Sequence, residues 1–387
     1  MIKDGSVTSS WPALLMLALA GIYAYFFLHA EDQWEVGVLA SAGVAAILLG
    51  GRGGVAARLE RSWRTAPSML AGLAFALGLG LLWLLREDHF SLLMVSTVLL
   101  YSVTCLGLNV QFGYAGVVNF AGAAFFGIGG YTAAVLAMQT DIPHLLLLAA
   151  AGVLAGAVGS VLVLPLLRTR GHYAALITIA FAILFRTFLE VNELLGGPQG
   201  LKVPGLSLLG WNFNDTIEIG EDTELSFYLS YALFSLVLFA VALLLVRRLE
   251  RSWLGLSLDA VRIDETAAAV FGFQVARWKI VAFSLGNVLA GVAGATYAMM
   301  TGFVAPAAFT IAESLIFVSI VILGGVGNPL GILPATVLVV VLPEKLQFIQ
   351  EYRYLLFSGF VILILLFKPG GLLPRSLRRY FPTWGKP

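Results

Sequence analysis

Residues 226–246 read SFYLSYALFSLVLFAVALLLV, a run of 21 residues without a charged side chain. A helix rises about 1.5 Å per residue, so about 20 apolar residues cross the roughly 30 Å hydrocarbon core of a bilayer. A helix that is apolar on every face must be buried on every side or lie in lipid. The run is therefore predicted to be a membrane-spanning helix.

The composition of the whole chain supports this interpretation. Of the 387 residues, 59% are hydrophobic and only 12% are charged. Soluble domains average about 45–50% apolar and about 25% charged residues. The net charge of +1 gives no basic patch for nucleic acid, so nucleic-acid binding is not expected. The chain is predicted to be an all-α, polytopic transmembrane helix bundle in a lipid bilayer.

Apolar runs along the chain predict ten to twelve membrane segments. They lie at about residues 11–28, 35–50, 66–85, 91–110, 116–138, 143–167, 173–190, 226–246, 279–301, 312–325, 330–343 and 353–367. A glycine-rich turn separates the runs at 312–325 and 330–343. These two runs are predicted to form either two spans or one re-entrant or broken element.

The loops on either side of the 226–246 run differ in charge. Arg247, Arg248 and Arg251 follow the run, whereas the preceding loop, residues 191–225, is acidic. Loops rich in Lys and Arg stay in the cytoplasm. When the segments alternate from a cytoplasmic N-terminus, every basic cluster falls on the cytoplasmic side. The sequence thus predicts that both termini, and the loop 247–278, are cytoplasmic.

No motif for catalysis or cofactor binding occurs in the sequence. The pattern G-x-x-x-x-G-K-[ST], whose backbone cradles phosphates, is absent, as are H-E-x-x-H and G-x-S-x-G. The four His residues are too dispersed to form a metal site. We therefore predict no catalytic residue, no metal and no cofactor, and transport is favoured over membrane enzymology.

Residues 107–122 combine glycines with three amides at a membrane boundary. Glycine permits either close helix packing or a helix break whose freed backbone groups are satisfied by protein or water. The first interpretation is structural, and the second is a discontinuous segment lining a solute pathway. A second glycine-rich stretch, Gly286–Gly294, is consistent with an internal repeat. The candidate pathway-lining residues are Asn109, Gln111, Asn119, Gly122 and Asn287.

Two further features carry charge in informative positions. Arg186 and Glu190 are spaced to share a helix face as a structural ion pair, or alternatively to act as a gate or a contact to solute. Residues 256–273 are predicted to form one amphipathic cytoplasmic helix that ends at Gly272. Such a helix either transmits force from an attached motor or simply lies at the interface. Its candidate coupling residues are Arg262, Asp264, Glu265, Ala268 and Gly272.

Several motifs occur together in a recognisable order. They are Leu106–Asn109, Gly113–Gly116, Ala123–Thr132, Arg168–Tyr173, Gly196–Leu201, Leu323–Gly331 and Phe367–Leu372. Together they resemble the branched-chain amino acid permeases of ATP-binding-cassette (ABC) importers, in particular the longer of the two permease subunits. The resemblance covers roughly residues 91–374 as the permease core, between N-terminal segments 1–90 and a cytoplasmic tail 375–387.

The resemblance implies a set of partners. An extracytoplasmic solute-binding protein would deliver the solute, with Gly196, Gly197 and Gln199 as candidate contacts. A second homologous permease would complete the pathway, and two cytoplasmic ATP-binding subunits would hydrolyse ATP. The location implied is the plasma (inner) membrane of a bacterium.

The solute implied is a branched-chain or related hydrophobic amino acid. Urea and short amides are alternatives within the same family. A stand-alone secondary transporter or channel is the alternative from another class, and a membrane enzyme is a third.

Overall fold

The computed structural model describes residues 11–30, 32, 34–39, 42–43, 67–169, 172–208, 210–215, 217–218, 224–345 and 370–375, with single positions at 352, 355, 359, 362 and 366. Helices dominate this part of the chain, which confirms the predicted polytopic all-α fold. Seven of the described helices are long and apolar enough to cross a membrane. The predicted segments at 35–50 and 353–367 lie largely outside the described residues.

The helices are given in chain order. They are α1 (Trp11–His29), α2 (Pro67–Leu84), α3 (His89–Tyr114), α4 (Gly122–Gln139), α5 (His144–Leu167), α6 (His172–Val191), α7 (Tyr228–Arg251), α8 (Trp253–Ile263), α9 (Glu265–Val270), α10 (Val275–Thr301), α11 (Ile311–Gly324), α12 (Ile332–Thr336) and α13 (Leu342–Lys345). A π-helical turn, Val337–Val341, joins α12 to α13, so the run at 330–343 is a helix of changing pitch.

Within the described residues, six short strands form three antiparallel pairs. These are β1 (Leu201–Lys202) with β6 (Phe303–Val304), β2 (Ser207–Leu208) with β3 (Trp211–Asn212), and β4 (Ile217–Glu218) with β5 (Glu224–Leu225). In the first pair Leu201 lies opposite Val304. This pairing joins the segment between α6 and α7 to the segment that follows α10.

Polar residues cap the helices where they begin and end. The Asp88 carboxylate accepts a hydrogen bond from the backbone N–H of Ser91 at 3.0 Å, at the start of α3. Thr310 Oγ1 accepts one from the N–H of Glu313 at 3.2 Å, at the start of α11. Such bonds satisfy N–H groups that have no partner within the helix. Gly302 ends α10 with a φ of 70°, a conformation that glycine adopts without steric cost.

The chain divides into two compact units that are not consecutive in sequence. The first comprises residues 1–100, 204–241 and 337–353, and the second comprises residues 101–203, 242–336 and 354–387. In the first unit, the Lys345 ammonium lies 2.6 Å from the carbonyl of Leu28 at the end of α1. A cation at this position stabilises the carbonyl end of a helix.

The second unit is built around α10, which packs against α4 and α5. Glycines on facing helices bring the backbones together: a Cβ atom at Gly129 would collide with the carbonyl of Gly291, and one at Gly294 with the carbonyl of Phe126. The second glycine-rich stretch therefore serves close packing within a continuous helix. An aromatic cluster fills the space beside it, formed by Tyr101, Phe126, Tyr297 and Phe317.

Candidate functional site: a broken helix and its cytoplasmic contacts

The apolar runs at 91–110 and 116–138 form α3 and α4, and residues 115–121 between these two helices are not helical. Backbone N–H groups freed by such a break need partners, because lipid offers none. The chain supplies them from its own carbonyls and side chains. The bonds run from Val117 N to Gln111 O (2.9 Å), Phe120 N to Thr178 Oγ1 (3.0 Å), Ala121 N to Asn119 Oδ1 (2.9 Å) and Ala123 N to Ser314 Oγ (3.1 Å).

Three fully buried carboxamides form a cluster behind the break, which we call the amide cluster: Gln111, Asn119 and Asn287. The Nε2 of Gln111 donates to Oδ1 of Asn287 at 2.9 Å and to the carbonyl of Phe283 at 3.0 Å. Asn119 Nδ2 donates to Gln111 Oε1 at 2.8 Å. The cluster connects the end of α3 and the break to the middle of α10.

The remaining predicted pathway residues lie apart from the amide cluster. Asn109 Oδ1 accepts a hydrogen bond from the N–H of Gly327 at 2.7 Å, so it faces the turn after α11. Gly122 packs against Leu108 and Phe317. The structure thus brings three of the five residues together, and the pathway-lining role of all five stays a prediction.

The amide cluster is suited to hold a break that can rearrange. Its members are neutral, so it avoids the cost of burying a charge in the membrane. Amides both donate and accept, and they can therefore exchange partners. Asn287 Nδ2 has no hydrogen-bond partner among the described residues, so the cluster retains one unused donor in this conformation.

Thr178 and Ser314, whose hydroxyl groups satisfy the break, were not identified from the sequence. Thr178 lies on α6 and Ser314 on α11. Isolated Ser and Thr residues in apolar helices usually bond to a carbonyl in their own helix. The sequence does not show which of these hydroxyl groups also accepts a hydrogen bond from another segment and which bonds only within its own helix.

The stretch 256–273, which the sequence predicts to be cytoplasmic, contains two helices, α8 and α9, so the prediction of a single helix there was wrong. Asp264 separates them, with an extended φ of −154° and ψ of 107°. Its carboxylate accepts bonds from the N–H groups of Thr266 at 2.8 Å and Ala267 at 3.0 Å. An aspartate whose carboxylate accepts bonds from the N–H groups two and three residues later favours the start of a new helix over the continuation of the preceding one.

Gly272 ends α9 as its position in the sequence predicts. Its φ is +87°, its N–H donates to Ala269 O, and the N–H of Phe273 donates to Ala268 O. These two bonds form a Schellman motif. Ala268 is buried, whereas Val270 and Phe271 are each 82% exposed. The end of α9 therefore presents uncovered apolar side chains.

Glu265 and Arg262, the two other candidate coupling residues, point to different parts of the second unit. Glu265 forms a 2.6 Å ion pair with Lys279 at the start of α10. Arg262 donates to the carbonyl of Gly113, in the last turn of α3. Partial burial and the neighbouring Arg375 guanidinium both lower the pKa of Arg262.

A buried ion pair beside Arg262 escaped the sequence analysis. Arg375 and Asp259 form two parallel hydrogen bonds of 2.7 and 2.9 Å, and Arg375 also donates to the carbonyl of Gly113 at 3.1 Å. The two residues are 116 positions apart. Arg375 lies in the basic C-terminal tail, and nothing in the sequence pairs it with Asp259.

Arg186 and Glu190 form the predicted pair on α6, with the Nε to Oε1 distance at 2.8 Å. The exposed fractions of the two side chains are 43% and 37%. They line a cleft of about 340 Å³ together with Phe309 and Thr310, at the start of α11. The pair is thus accessible from the cleft, and the choice between a structural and a gating role stays open.

The predicted binding-protein contacts lie in a glycine-rich turn before β1. Short 3₁₀ helices span Glu193–Leu195 and Gly197–Gln199, and Asn192 caps the first of them. Gly196 and Gly197 have positive φ values of 81° and 53°. Gln199 is exposed, whereas Gly197 is buried, so the glycines shape the turn and Gln199 is its accessible member.

These features define a class of protein. Long apolar helices cross the bilayer, a buried neutral cluster holds a helix break, and a helical pair with exposed apolar residues lies outside the predicted spans. This is the organisation of a multi-pass membrane transport protein.

Comparison with known proteins identifies the family to which the chain belongs. Residues 90–366 match the family model described as branched-chain amino acid transport system / permease component, and the chain belongs to this family. It is a permease subunit of an ABC importer. No solved structure matches the chain.

Curated relatives agree with this assignment. The chain is 35% identical over 311 residues to the high-affinity branched-chain amino acid transport system permease protein LivM of Escherichia coli K12, covering 77% of this chain and 73% of the relative. LivM of Salmonella typhimurium is 34% identical over 307 residues, covering 76% and 72%. The corresponding permease protein LivH of E. coli K12 is 26% identical over 292 residues, covering 71% and 91%.

Proposed function

We propose that this chain and a second homologous permease together form the membrane pathway for branched-chain or related hydrophobic amino acids. The observation that carries the proposal is the similarity, over most of both chains, to permeases named for branched-chain amino acid transport. The chain resembles both the LivM-type and the LivH-type proteins, and the identity is higher to LivM. It therefore takes the LivM position, and a LivH-type chain is its partner.

The solute passes along the break between α3 and α4. Residues 115–121 are not helical, and the N–H groups of Val117, Phe120 and Ala121 are already bonded within the chain. The segment therefore offers a solute its backbone carbonyls rather than its N–H groups. Asn109, Gln111, Asn119, Gly122 and Asn287 belong to this pathway region. Exchange of partners within the amide cluster moves the break as access alternates between the two sides of the membrane.

Two cytoplasmic ATP-binding subunits supply the energy. This chain has no phosphate-cradling motif, so hydrolysis is assigned to separate subunits. The α8–α9 pair is their docking site, because exposed apolar side chains such as Val270 and Phe271 gain most from burial at an interface. Asp264 and Gly272 set the ends of α9 and so fix the direction in which these side chains project.

An extracytoplasmic binding protein delivers the solute to the opposite side. Its contact is the turn at residues 196–199, which is held by β1 pairing with β6. Gln199 offers an exposed amide there, and Gly196 and Gly197 permit the backbone conformation.

Reconstitution tests the proposal. The chain is co-expressed with the candidate second permease, ATP-binding subunits and binding protein, and the purified complex is placed in proteoliposomes. Uptake of labelled leucine should require both ATP and the binding protein, and vesicles holding ADP serve as the control. Unlabelled isoleucine and valine should compete, whereas urea and acetamide should not.

Two results would count against the proposal. Uptake by this chain alone, driven by a membrane potential, would indicate a secondary transporter or channel. Competition by urea or acetamide in preference to valine would reassign the solute while keeping the importer.

A further inference from the structure

The segment that carries Arg375 is held beside the turn after α11. The N–H of Leu372 donates to the carbonyl of Leu323 at 2.7 Å, and that of Leu373 donates to the carbonyl of Gly324 at 3.2 Å. Both carbonyls belong to the last turn of α11, where no partner remains within the helix, so the segment caps that helix end. The two bonds fix the path of the chain immediately before Arg375, so the guanidinium starts from an ordered backbone.

The side chain of Arg375 then contacts α8 through Asp259. Each terminal nitrogen of the guanidinium donates to one of the two carboxylate oxygens, and the side chains are only 8% and 11% exposed. A bidentate pair of this kind defines both distance and orientation. Since it is shielded from water, it is weakly screened, and loss of one partner leaves a buried charge.

The same guanidinium also contacts the last turn of α3. It donates to the carbonyl of Gly113 at 3.1 Å and lies 4.4 Å from the ring centre of Tyr114. Arg262 on α8 donates to the same carbonyl. Two guanidinium groups therefore converge on the carbonyl end of α3, directly before the break, where a positive charge is favourable.

We infer that Arg375 is a positioning residue that couples α8 to the broken helix through Asp259 and Gly113. When docked ATP-binding subunits displace α8, the Asp259–Arg375 pair carries the displacement to the end of α3. Residues 115–121 absorb it, because a non-helical segment between two rigid helices is where a hinge motion concentrates. This inference rests on the proposed function, since it requires a motor acting on α8.

The test measures labelled leucine taken up per ATP hydrolysed in proteoliposomes. Arg375→Lys keeps the charge but loses the two-pronged contact and the planar stacking on Tyr114. We expect uptake to fall by about tenfold while ATP hydrolysis stimulated by loaded binding protein stays within about twofold of the unsubstituted complex. Arg277→Lys, an exposed arginine at the start of α10, is the matched control and should leave the ratio unchanged.

Exchanging the two charges distinguishes the effect of the ion pair from the effect of the contact with α3. In the double variant Asp259→Arg with Arg375→Asp the pair can form again, but a carboxylate at position 375 cannot donate to Gly113. Thermal stability should therefore recover relative to Asp259→Arg alone, while uptake per ATP stays low.

Three outcomes would overturn the inference. The first is a normal ratio in Arg375→Lys, and the second is a restored ratio in the exchange variant. The third is a parallel loss of uptake, hydrolysis and copurifying subunits, which would indicate a merely structural role. If the unsubstituted complex shows no ATP-dependent uptake, the proposed function fails and the inference fails with it. If the unsubstituted complex and the Arg375 variants all take up the same amount of leucine per ATP hydrolysed, only the inference is refuted.

Discussion

The carboxamide nitrogen of Gln111 lies 2.9 Å from the Oδ1 atom of Asn287, although 176 positions separate the two residues in the chain. One is in the last turns of α3 and the other is in the middle of α10. Their bond joins the broken helix to the helix around which the second unit packs. Because both side chains are fully buried, water cannot take the place of either partner if the bond is lost.

Gln111→Leu should destabilise the protein, because it leaves Asn119 and Asn287 buried without their shared partner. The expected loss is about 1–3 kcal/mol, the usual cost of an unsatisfied buried polar group. The thermal unfolding midpoint of the purified complex measures it. Gln274→Leu, which replaces an exposed amide, is the control. An unchanged midpoint for Gln111→Leu would show that the bond contributes nothing.

Gly129→Ala should force α4 and α10 apart, since the added methyl group collides with the backbone carbonyl of Gly291. Overpacking of this kind costs about 1–3 kcal/mol. The yield of monodisperse protein and its thermal midpoint are the measurements. Gly72→Ala on α2 is the matched control, because no atom lies within 4 Å of the position of its Cβ. Equal behaviour of the two variants would contradict the close-packing interpretation.

Phe271→Ser should weaken binding of the ATP-binding subunits by about tenfold, because an exposed aromatic side chain is a typical anchor at an interface. Binding to the detergent-purified permease is measured with purified ATP-binding subunits. Leu194→Ser is the control, since Leu194 is 91% exposed on the loop predicted to face the other side. A larger loss of affinity in the control than in Phe271→Ser would reverse the assigned orientation.

Reversal of a single charge, Glu190→Arg, should lower uptake, because it places two cations one helical turn apart on α6. Exchange of both charges, Arg186→Glu with Glu190→Arg, should restore uptake if the pair is structural. Labelled-leucine uptake by assembled complexes is the measurement. A double variant that assembles but does not transport would instead favour a direct contact between the pair and the solute.

Local properties of the sequence were sufficient to predict a polytopic helical membrane protein and the end of α9, and an interruption near residues 107–122 was one of two interpretations of the glycines and amides there. The number of apolar residues needed in a membrane-spanning helix is set by the thickness of the bilayer, so it can be recognised in one segment alone. Glycines with nearby amides indicate where a helix can be interrupted. Gly272 terminates α9 because its conformational preference is local. The single helix predicted at 256–273 was wrong because Asp264 lies within that range and caps a second helix.

The family resemblance, too, follows from the order of motifs in the sequence. The partners of the buried polar groups do not. Thr178, Ser314, Asp259 and Arg375 are unremarkable as residue types in their segments, and each bonds to a residue that is distant in the chain. Such bonds are decided by how the helices pack, because side chains far apart in sequence become neighbours only when close helix contacts such as that at Gly129 align them. Hydrophobic length is a property of one segment at a time, whereas hydrogen-bond geometry is a property of several segments together.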